Sequence, residues 1–456
     1  MTEYTAVTDA DRRQMLEAIG VGSIEDLFAD IPEALRLAQG LELDAGRSEQ
    51  EVYAELRALA ARNVSTEDEL SFVGAGMYDT YVPALIDALI TRAEFLTPYT
   101  PYQPEVSQGG LQTMFEYQTA ICELTGLPVS NASVYEGPSA VAAAGYVAKH
   151  ATGAHRFVVS RGVHPHAIET LRTMSHSWGM EVVEADLRQG VTELPALGDD
   201  VAAVIVAQPN FLGAVEDLAA IAAAAHDAGA LCIACCDPVA LSLLRSPGEC
   251  GVDIAVGEGQ TLGNRLDFGG PSFGFFAVTE PLIRRIPGRI AGETVDLDGR
   301  RGFTLTLQTR EQHIRRERAT SNICTSQALN ALAGVIYLSW LGRDGFTELG
   351  ELLVRRTAYA RDRLAALPGI ETLHDQPVFR EFAVTLDAPV EAVSERCLRD
   401  GVNPGYPLGS DYPEHERGLL VAITELRSAA EIDRLATVLG DAVVAERSGS
   451  LQEARR

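Results

Sequence analysis

The chain contains a single lysine. Lys149 stands alone among 456 residues, and the other fixed cations are arginines, so chemistry that needs a lysine amine must use this position or another chain. The tightest group of soft metal ligands is Cys232, Cys235 and Cys236, in the apolar run LCIACC. On a strand the two-residue period puts Cys232 and Cys236 on one face and Cys235 on the other. No second CxxC follows, so buried structural thiols are expected and no metal site. His164 and His166 form an HxH pair without a third ligand, and read as loop or helix-start histidines rather than a metal site. The segment Thr97–Gln108 is denser in polar groups. Tyr99, Tyr102, Gln103, Glu105, Ser107 and Gln108 fall within a dozen residues interrupted by prolines. Proline fixes φ and lowers loop entropy, so the segment can hold a set shape. Its hydroxyls and amides read as the wall of a binding site. Tyr117, inside a helical pattern, reads as packing.

Composition narrows the class of partner. Aspartate and glutamate number 64 against 37 lysines and arginines, a formal charge of −27. Nucleic acid and anionic membrane surfaces both require basic patches, so neither is expected. Apolar residues make up 46%, enough for a sizeable core. No run approaches the ~18 apolar residues of a membrane helix, and the polar opening residues lack the apolar stretch of a signal peptide. Seven cysteines, an odd number lying mostly in apolar runs, fit a reducing cytoplasm.

The elements that must position these residues follow from periodicity. Residues 1–64 read as a helical arm: DADRRQMLEAIG and SIEDLFADI open with Asp or Ser, and EQEVYAELRALAARN is amphipathic, with Val52, Leu56 and Leu59 at helical spacing. From residue 65 to 325, apolar runs (RFVVS, VAAVIVAQP, LCIACCDP, DIAVGEG) alternate with helical segments. That is the pattern of an α/β domain with a mostly parallel sheet covered on both faces. Residues 326–456 combine long helices with the strands FREFAVTL and GLLVAITEL, an α+β C-terminal domain.

Several blocks carry a family resemblance. They are TPYTPYQPEVSQGGLQTMFEYQTAICELTG (97–126), NASVYEGPSA (131–140), GEGQTLGNRLDFGGPSFGFFA (257–277), the long segment 288–332 ending SNICTSQALNAL, and LLVAITELRSAAEIDRL (419–435). Together they resemble the P-proteins of the glycine cleavage system over nearly the whole chain. The length is similar to the alpha half of the two-subunit form. Departures sit at Pro98, Thr261, Ser272-Phe273 and Arg318.

The resemblance implies a pyridoxal-phosphate-dependent transferase fold (aspartate aminotransferase type, fold type I). It implies decarboxylation of glycine and transfer of the aminomethyl group to the lipoyl arm of the H-protein. Breaking the Cα–carboxylate bond leaves a carbanion, for which pyridoxal phosphate is the electron sink. By the same resemblance, Asp237 stands where an aspartate would meet the pyridine nitrogen and His164 where a residue would stack on the ring. Gly137 and Ser139 begin a helix at a phosphate cup. Thr320, Ser321 and Asn322 would reach across a subunit interface toward cofactor phosphate. The cofactor lysine is expected near 261, but Thr261 is there. Lys149 lies roughly 15 Å along the helix from its start. No catalytic residue of that kind is therefore expected here; a beta subunit would hold the cofactor covalently.

Bland alternatives stand beside these. Asp237 before Pro238 reads equally as a turn residue. Thr320–Asn322 read as caps of the following helix. The arginine-rich REQHIRRER reads evenly as a solvated helix face or a docking surface. At the level of the whole protein, the rivals are a stand-alone pyridoxal phosphate lyase using Lys149 and a non-catalytic scaffold.

Overall fold

An unbroken run of Val, Ala and Ile, bounded by turn residues, makes a strand that must be covered on both faces, and all eight residues of Val201–Gln208 are buried. In the computed structural model, which describes residues 6–37, 41–319 and 321–453, this strand lies inside a seven-stranded sheet. The chain forms two compact units, Met1–Val64 and Ser65–Arg456.

The first unit contains α1 (Asp9–Ile19) and α2 (Glu49–Ala60), each started by a capping box, Thr8 with Asp11 and Ser48 with Glu51. Neither helix has a buried residue, and Leu27, Phe28, Leu35, Leu43 and Leu56 are exposed. The expected helix at SIEDLFADI reduces to a 3-10 turn, Glu25–Phe28. The Asp26 carboxylate accepts the Gly22 and Ser23 N–H groups at 2.9 and 2.8 Å, and Pro32 disfavours helix at the residue before it.

In the second unit the sheet strands are β1 (Val129–Ser130), β2 (Arg156–Ser160), β3 (Glu181–Ala185), β4 (Val201–Gln208), β5 (Leu231–Cys236), β6 (Ile254–Glu258) and β7 (Gly274–Val278). They lie in the order β1-β7-β6-β5-β4-β2-β3. Neighbours from β6 to β3 pair in parallel, and β7 alone runs against β6 and β1. Successive side chains feed two cores. Val204 and Val206 join the layer of α3 (Gln108–Thr125), α6 (Leu218–Asp227) and α7 (Ala328–Ala365). Ala203 and Ile205 join that of α4 (Gly137–Thr152) and α5 (Pro165–Trp178). The cysteines follow the same period: Cys232 and Cys236 belong to the first core and Cys235 packs on the second, all as free thiols. Helix α3 ends at Gly126 in the left-handed conformation (φ 66°), which glycine adopts without a Cβ penalty.

Two features are not apparent in the periodicity. A hairpin, β8 (Ile290–Val295) with β9 (Arg301–Thr306), turns at Asp296–Gly299; the Asp298-Gly299 pair between two alternating stretches is its signal. The REQHIRRER segment gives only the short helix Gln312–Arg315 and a 3-10 turn, and its first arginine, Arg310, is buried against the Gly288 carbonyl at 3.0 Å.

Toward the C-terminus, strands β10 (Ile370–Thr372), β11 (Glu381–Leu386), β12 (Tyr406–Pro407) and β13 (Gly418–Ala422) form an antiparallel sheet in the order β10-β11-β13-β12. It packs on α8 (Val390–Arg399) and α9 (Ala429–Glu453). Among the described residues, no helix is long and apolar enough to cross a membrane.

The two long helical patterns after 326 form one element, α7, broken by Gly342 at φ 62°, ψ −176°. That backbone region is essentially open to glycine only. A Cβ there would meet nothing within 4 Å, so the cost of Gly342→Ala is backbone strain alone. Chemical denaturation should show a loss of about 1–3 kcal/mol.

Candidate active-site cleft

In an α/β sheet the ligand crevice lies beyond the carboxyl ends of the parallel strands. Here a cavity of about 410 Å³ opens there, lined by the ends of β5 and β6, the start of α4, and His164 before α5. Tyr78 and the residues at the head of β11 complete its wall. It brings together three of the residues expected at a cofactor site, Gly137, His164 and Asp237, with Thr261 beside them.

Asp237 follows β5 and accepts the Val239 N–H at 3.0 Å, a turn bond. It also forms an ion pair with Arg380 Nη2 at 2.6 Å, with side-chain exposures of 12% and 3%. The turn bond matches the turn reading of Asp237, while its carboxylate is spent on Arg380 rather than left free for a pyridine nitrogen. The Arg380 guanidinium lies 3.7 Å from the Tyr78 ring centroid and 3.5 Å from Thr261 Oγ1. Burial works against its charge, but Asp237, Tyr78 and Glu381 together hold its pKa above the ordinary value. Tyr78 donates to Glu381 Oε2 at 2.6 Å, and both its backbone groups bond the Gln260 amide at 3.0 Å. Burial pushes the Glu381 carboxyl up, against the bonds from Tyr78 and the Ala75 N–H.

The start of α4 is occupied by its own chain. Gly137 N–H donates to Glu258 Oε2 at 2.9 Å. Glu258 Oε1 accepts from Gln260 N–H at 3.1 Å and from the Ser272 hydroxyl. Ser139 N–H and Oγ both donate to Glu136 Oε2, at 2.9 and 2.8 Å. Burial, and the neighbouring Glu136 charge after it, raise the Glu258 pKa against those hydrogen bonds.

His164 caps α5. Its Nδ1 accepts the His166 N–H at 3.1 Å and its Nε2 donates to the Ala75 carbonyl at 2.9 Å, the pattern of a neutral imidazole. Burial lowers its pKa, and the Ala75 bond offsets this in part. Lys149 is remote from all of this, its Nζ donating to the Trp178 carbonyl at 2.7 Å.

The Thr97–Gln108 loop does not line this cavity. Tyr99 and Ser107 face a separate groove of about 810 Å³. Tyr102 packs on Arg289, whose guanidinium lies 4.8 Å from the ring and whose Nη2 donates to the tyrosine oxygen at 3.3 Å. Its ring also meets His313 edge-on at 5.5 Å. Gln103 and Glu105 are exposed. The Gln108 amide is committed to backbone, bonding both the N–H and the carbonyl of Phe303, so it anchors the loop to the hairpin. Ser139 shares a third groove with Ser321 and Asn322. Thr320 lies outside the described residues. Helix α7 is capped at Gln327, so Ser321 and Asn322 do not cap it; the Ser321 hydroxyl accepts the Ile323 N–H at 3.0 Å.

The model of the glycine cleavage system P-protein matches residues 2–439. The chain belongs to the glycine cleavage system P-protein family. Among curated members, the probable glycine dehydrogenase (decarboxylating) subunit 1 of Geobacillus kaustophilus is 48% identical over 442 residues, 96% of this chain and 98% of that one. The protein of the same name from Geotalea uraniireducens is 49% identical, covering 96% and 100%. The crystal structure of an inhibitor-bound glycine decarboxylase (P-protein) superposes with a TM-score of 0.89 at 43% identity, over 97% of this chain and 100% of that one. Lactobacillus brevis glutamate decarboxylase, at 15% identity and TM-score 0.68 over 92% and 98%, shares the fold alone. That fold is the fold type I architecture of pyridoxal-phosphate enzymes, as the resemblance implied.

Membership in the P-protein family raises the fit of pyridoxal phosphate to this chain's own cavity. The residues do not fit it. Thr261 offers no amine, two carboxylates take the N–H groups of the cup, and Asp237 is already paired.

Several residues of the cavity escaped sequence reasoning: Tyr78, Arg380, Glu381, Glu136 and Glu258. Glu136 carried no readable signal, since glutamate is not among the favoured N-cap residues, and Arg380 and Tyr78 carried none because their partners are remote in sequence.

Two outcomes follow from these contacts. Asp237→Ala strands a buried guanidinium and should cost about 3–5 kcal/mol in denaturant unfolding, most of it recovered in Asp237→Ala/Arg380→Met. For His164, the folded pKa lies below the unfolded one, so the unfolded chain binds more protons. Stability is then lost as pH falls from the ordinary value of about 6.5 toward the folded one, at up to about 1.4 kcal/mol per unit. His164→Asn should show a shallower decline than wild type in unfolding measured from pH 8 downward.

Proposed function

We propose that this chain is the alpha subunit of glycine dehydrogenase (aminomethyl-transferring, decarboxylating), acting in the reducing cytoplasm. With a beta subunit that carries the cofactor lysine, it decarboxylates glycine and passes the aminomethyl group to the lipoyl arm of the H-protein. The observation that carries this reading is the end-to-end similarity to subunit 1 proteins in a chain that has Thr261 where a lysine is needed. Pyridoxal phosphate, held covalently by the beta subunit, supplies the electron sink.

On this reading the chain contributes the wall of a shared cleft. Tyr99, Tyr102 and Glu105 stand on an exposed loop that is anchored through Gln108 and stiffened by prolines. Apolar contacts alone grip a small zwitterion poorly, and a rigid loop bearing hydroxyls supplies the missing polar contacts. Arg289, 3% exposed with no partner at Nε, supports a wall that meets an anionic group. Ser321 and Asn322, in the groove with Ser139, are the residues proposed to reach the partner's cofactor. The exposed leucines and Phe28 of the first unit are of the kind obligate interfaces cover. Residues 65–325 and 326–456 act as large and small domains.

The test is reconstitution. The chain alone should release no carbon dioxide from glycine and should take no borohydride-reducible label from pyridoxal phosphate. Mixed with the lysine-bearing subunit, it should form a complex that exchanges bicarbonate with glycine. Activity of the isolated chain, with label on Lys149, would instead favour a stand-alone lyase. Tyr102→Phe should lower exchange about tenfold, roughly 1.4 kcal/mol of barrier, with complex mass unchanged. Wild-type exchange in that variant would reduce Tyr102 to packing.

A further inference from the structure

The missing lysine is only one reason that the cavity does not suit a phosphorylated cofactor. A phosphate at a helix start is held by N–H groups aimed out of the first turn and by nearby hydroxyls. At the start of α4 those donors are the N–H groups of Gly137 and Ser139 and the hydroxyls of Ser139 and Ser272. All are already used. Glu258 takes Gly137 and Ser272, and Glu136 takes both donors of Ser139. Glu258 comes from the end of β6 on the far side of the cup, and the fit is close: a Cβ on Gly137 would come within 3.2 Å of Glu258 Cβ and of its backbone nitrogen.

We propose that Glu258 and Glu136 are built-in substitutes for a phosphate group, and that they exclude phosphorylated ligands from this cavity independently of residue 261. Each carboxylate satisfies the donors that a phosphate would need. An incoming phosphate of charge near −2 would have to displace them and then sit beside two half-buried negative groups. Among the described residues, the buried cation lining the cavity, Arg380, is committed to Asp237 and gives no relief. The helix start stays capped and its dipole satisfied without any ligand, which lets the subunit keep the architecture of a cofactor enzyme as a folded, cofactor-free body. The proposal concerns this chain's own cavity, so it stands or falls separately from the reading of the partner.

The experiment uses the full-length chain, with inorganic phosphate and pyridoxal 5′-phosphate as probes in equilibrium dialysis, and borohydride reduction followed by mass measurement. Wild type and Thr261→Lys should both bind phosphate without saturation and gain no reducible label. Adding Glu136→Ser and Glu258→Ser to Thr261→Lys should tighten phosphate binding at least tenfold and yield the label. If that triple variant fails to fold, Glu136→Ser alone keeps a hydroxyl cap on α4 and should still tighten phosphate at least threefold. Label on Thr261→Lys alone would overturn the proposal. So would unchanged phosphate affinity in the folded triple variant, or in Glu136→Ser where the triple variant does not fold.

Discussion

The ion pair between Asp237 and Arg380 ties the carboxyl end of the parallel sheet to the head of the antiparallel one, and the cavity between them takes its character from it. Both groups are deeply buried, where an unpaired charge would be prohibitively costly and a paired one is tolerated. The pair fixes what surrounds it. Tyr78 lies flat against the guanidinium, Glu381 is drawn toward the same cation and held by the tyrosine hydroxyl, and Gln260 clamps the tyrosine backbone. What the sheet leaves open as a ligand crevice is thereby turned into a closed circuit of internal bonds. A catalytic cleft keeps polar groups uncommitted for its substrate; here Asp237, Tyr78, Glu258, Gln260 and Glu381 are bonded within the chain.

The same economy of charge holds at the other end of the cavity. The helix start offers donors and partial positive charge, and the chain answers with Glu136 and Glu258 rather than with a bound anion. Cation and anion positions are thus both filled from within. The contrast with the Tyr102 region is sharp. There Arg289 is as buried as Arg380, and the Nε of each lacks a partner, but Arg380 is paired with the Asp237 carboxylate while Arg289 meets the face and oxygen of Tyr102. A buried guanidinium left short of acceptors is costly in an isolated chain. Completion by a group from outside accounts for it, as the proposed shared cleft requires.

The alternation of apolar runs with helical segments made the central sheet legible, since only strands covered on both faces carry sequences such as VAAVIVAQ. Gly126 was legible because a cap is a local feature between near neighbours; the capping boxes at Thr8 and Ser48 lie one residue before the segments read as helices. Asp237, His164 and Gly137 were placed in one cavity in advance by family resemblance, not by periodicity. The rest was illegible for a physical reason. Arg380 opens the strand FREFAVTL and resembles any exposed charge at a strand end; only its juxtaposition with Asp237 makes it a core residue. Gln108 looked like a site amide because it neighbours tyrosines, and its bond to the Phe303 backbone depends on a hairpin whose alternating pattern is interrupted by glycines. SIEDLFADI starts as a helix should, with Ser23 and Asp26 in reciprocal capping bonds, and stops after one turn ahead of Pro32, which disfavours helix at the residue before it.

Two consequences of the fold then bear on each other. Strand order and crossovers place the cavity at the carboxyl ends of β4, β5 and β6, while α3 begins with the tyrosine loop away from it. On the proposed reading of two like subunits in a pair, one surface would serve the chain's own crevice and the other its partner's. This chain has closed the first and left the second exposed, with Tyr99 87% accessible. An exposed aromatic on a proline-stiffened loop gains nothing for the folding of its own chain, because little apolar area is removed from water. Its retention alongside a self-satisfied cavity is therefore best accounted for by a use outside the chain. On the proposed reading, a division of labour between two like subunits would follow from where the polar groups are committed, and not only from which one has the lysine.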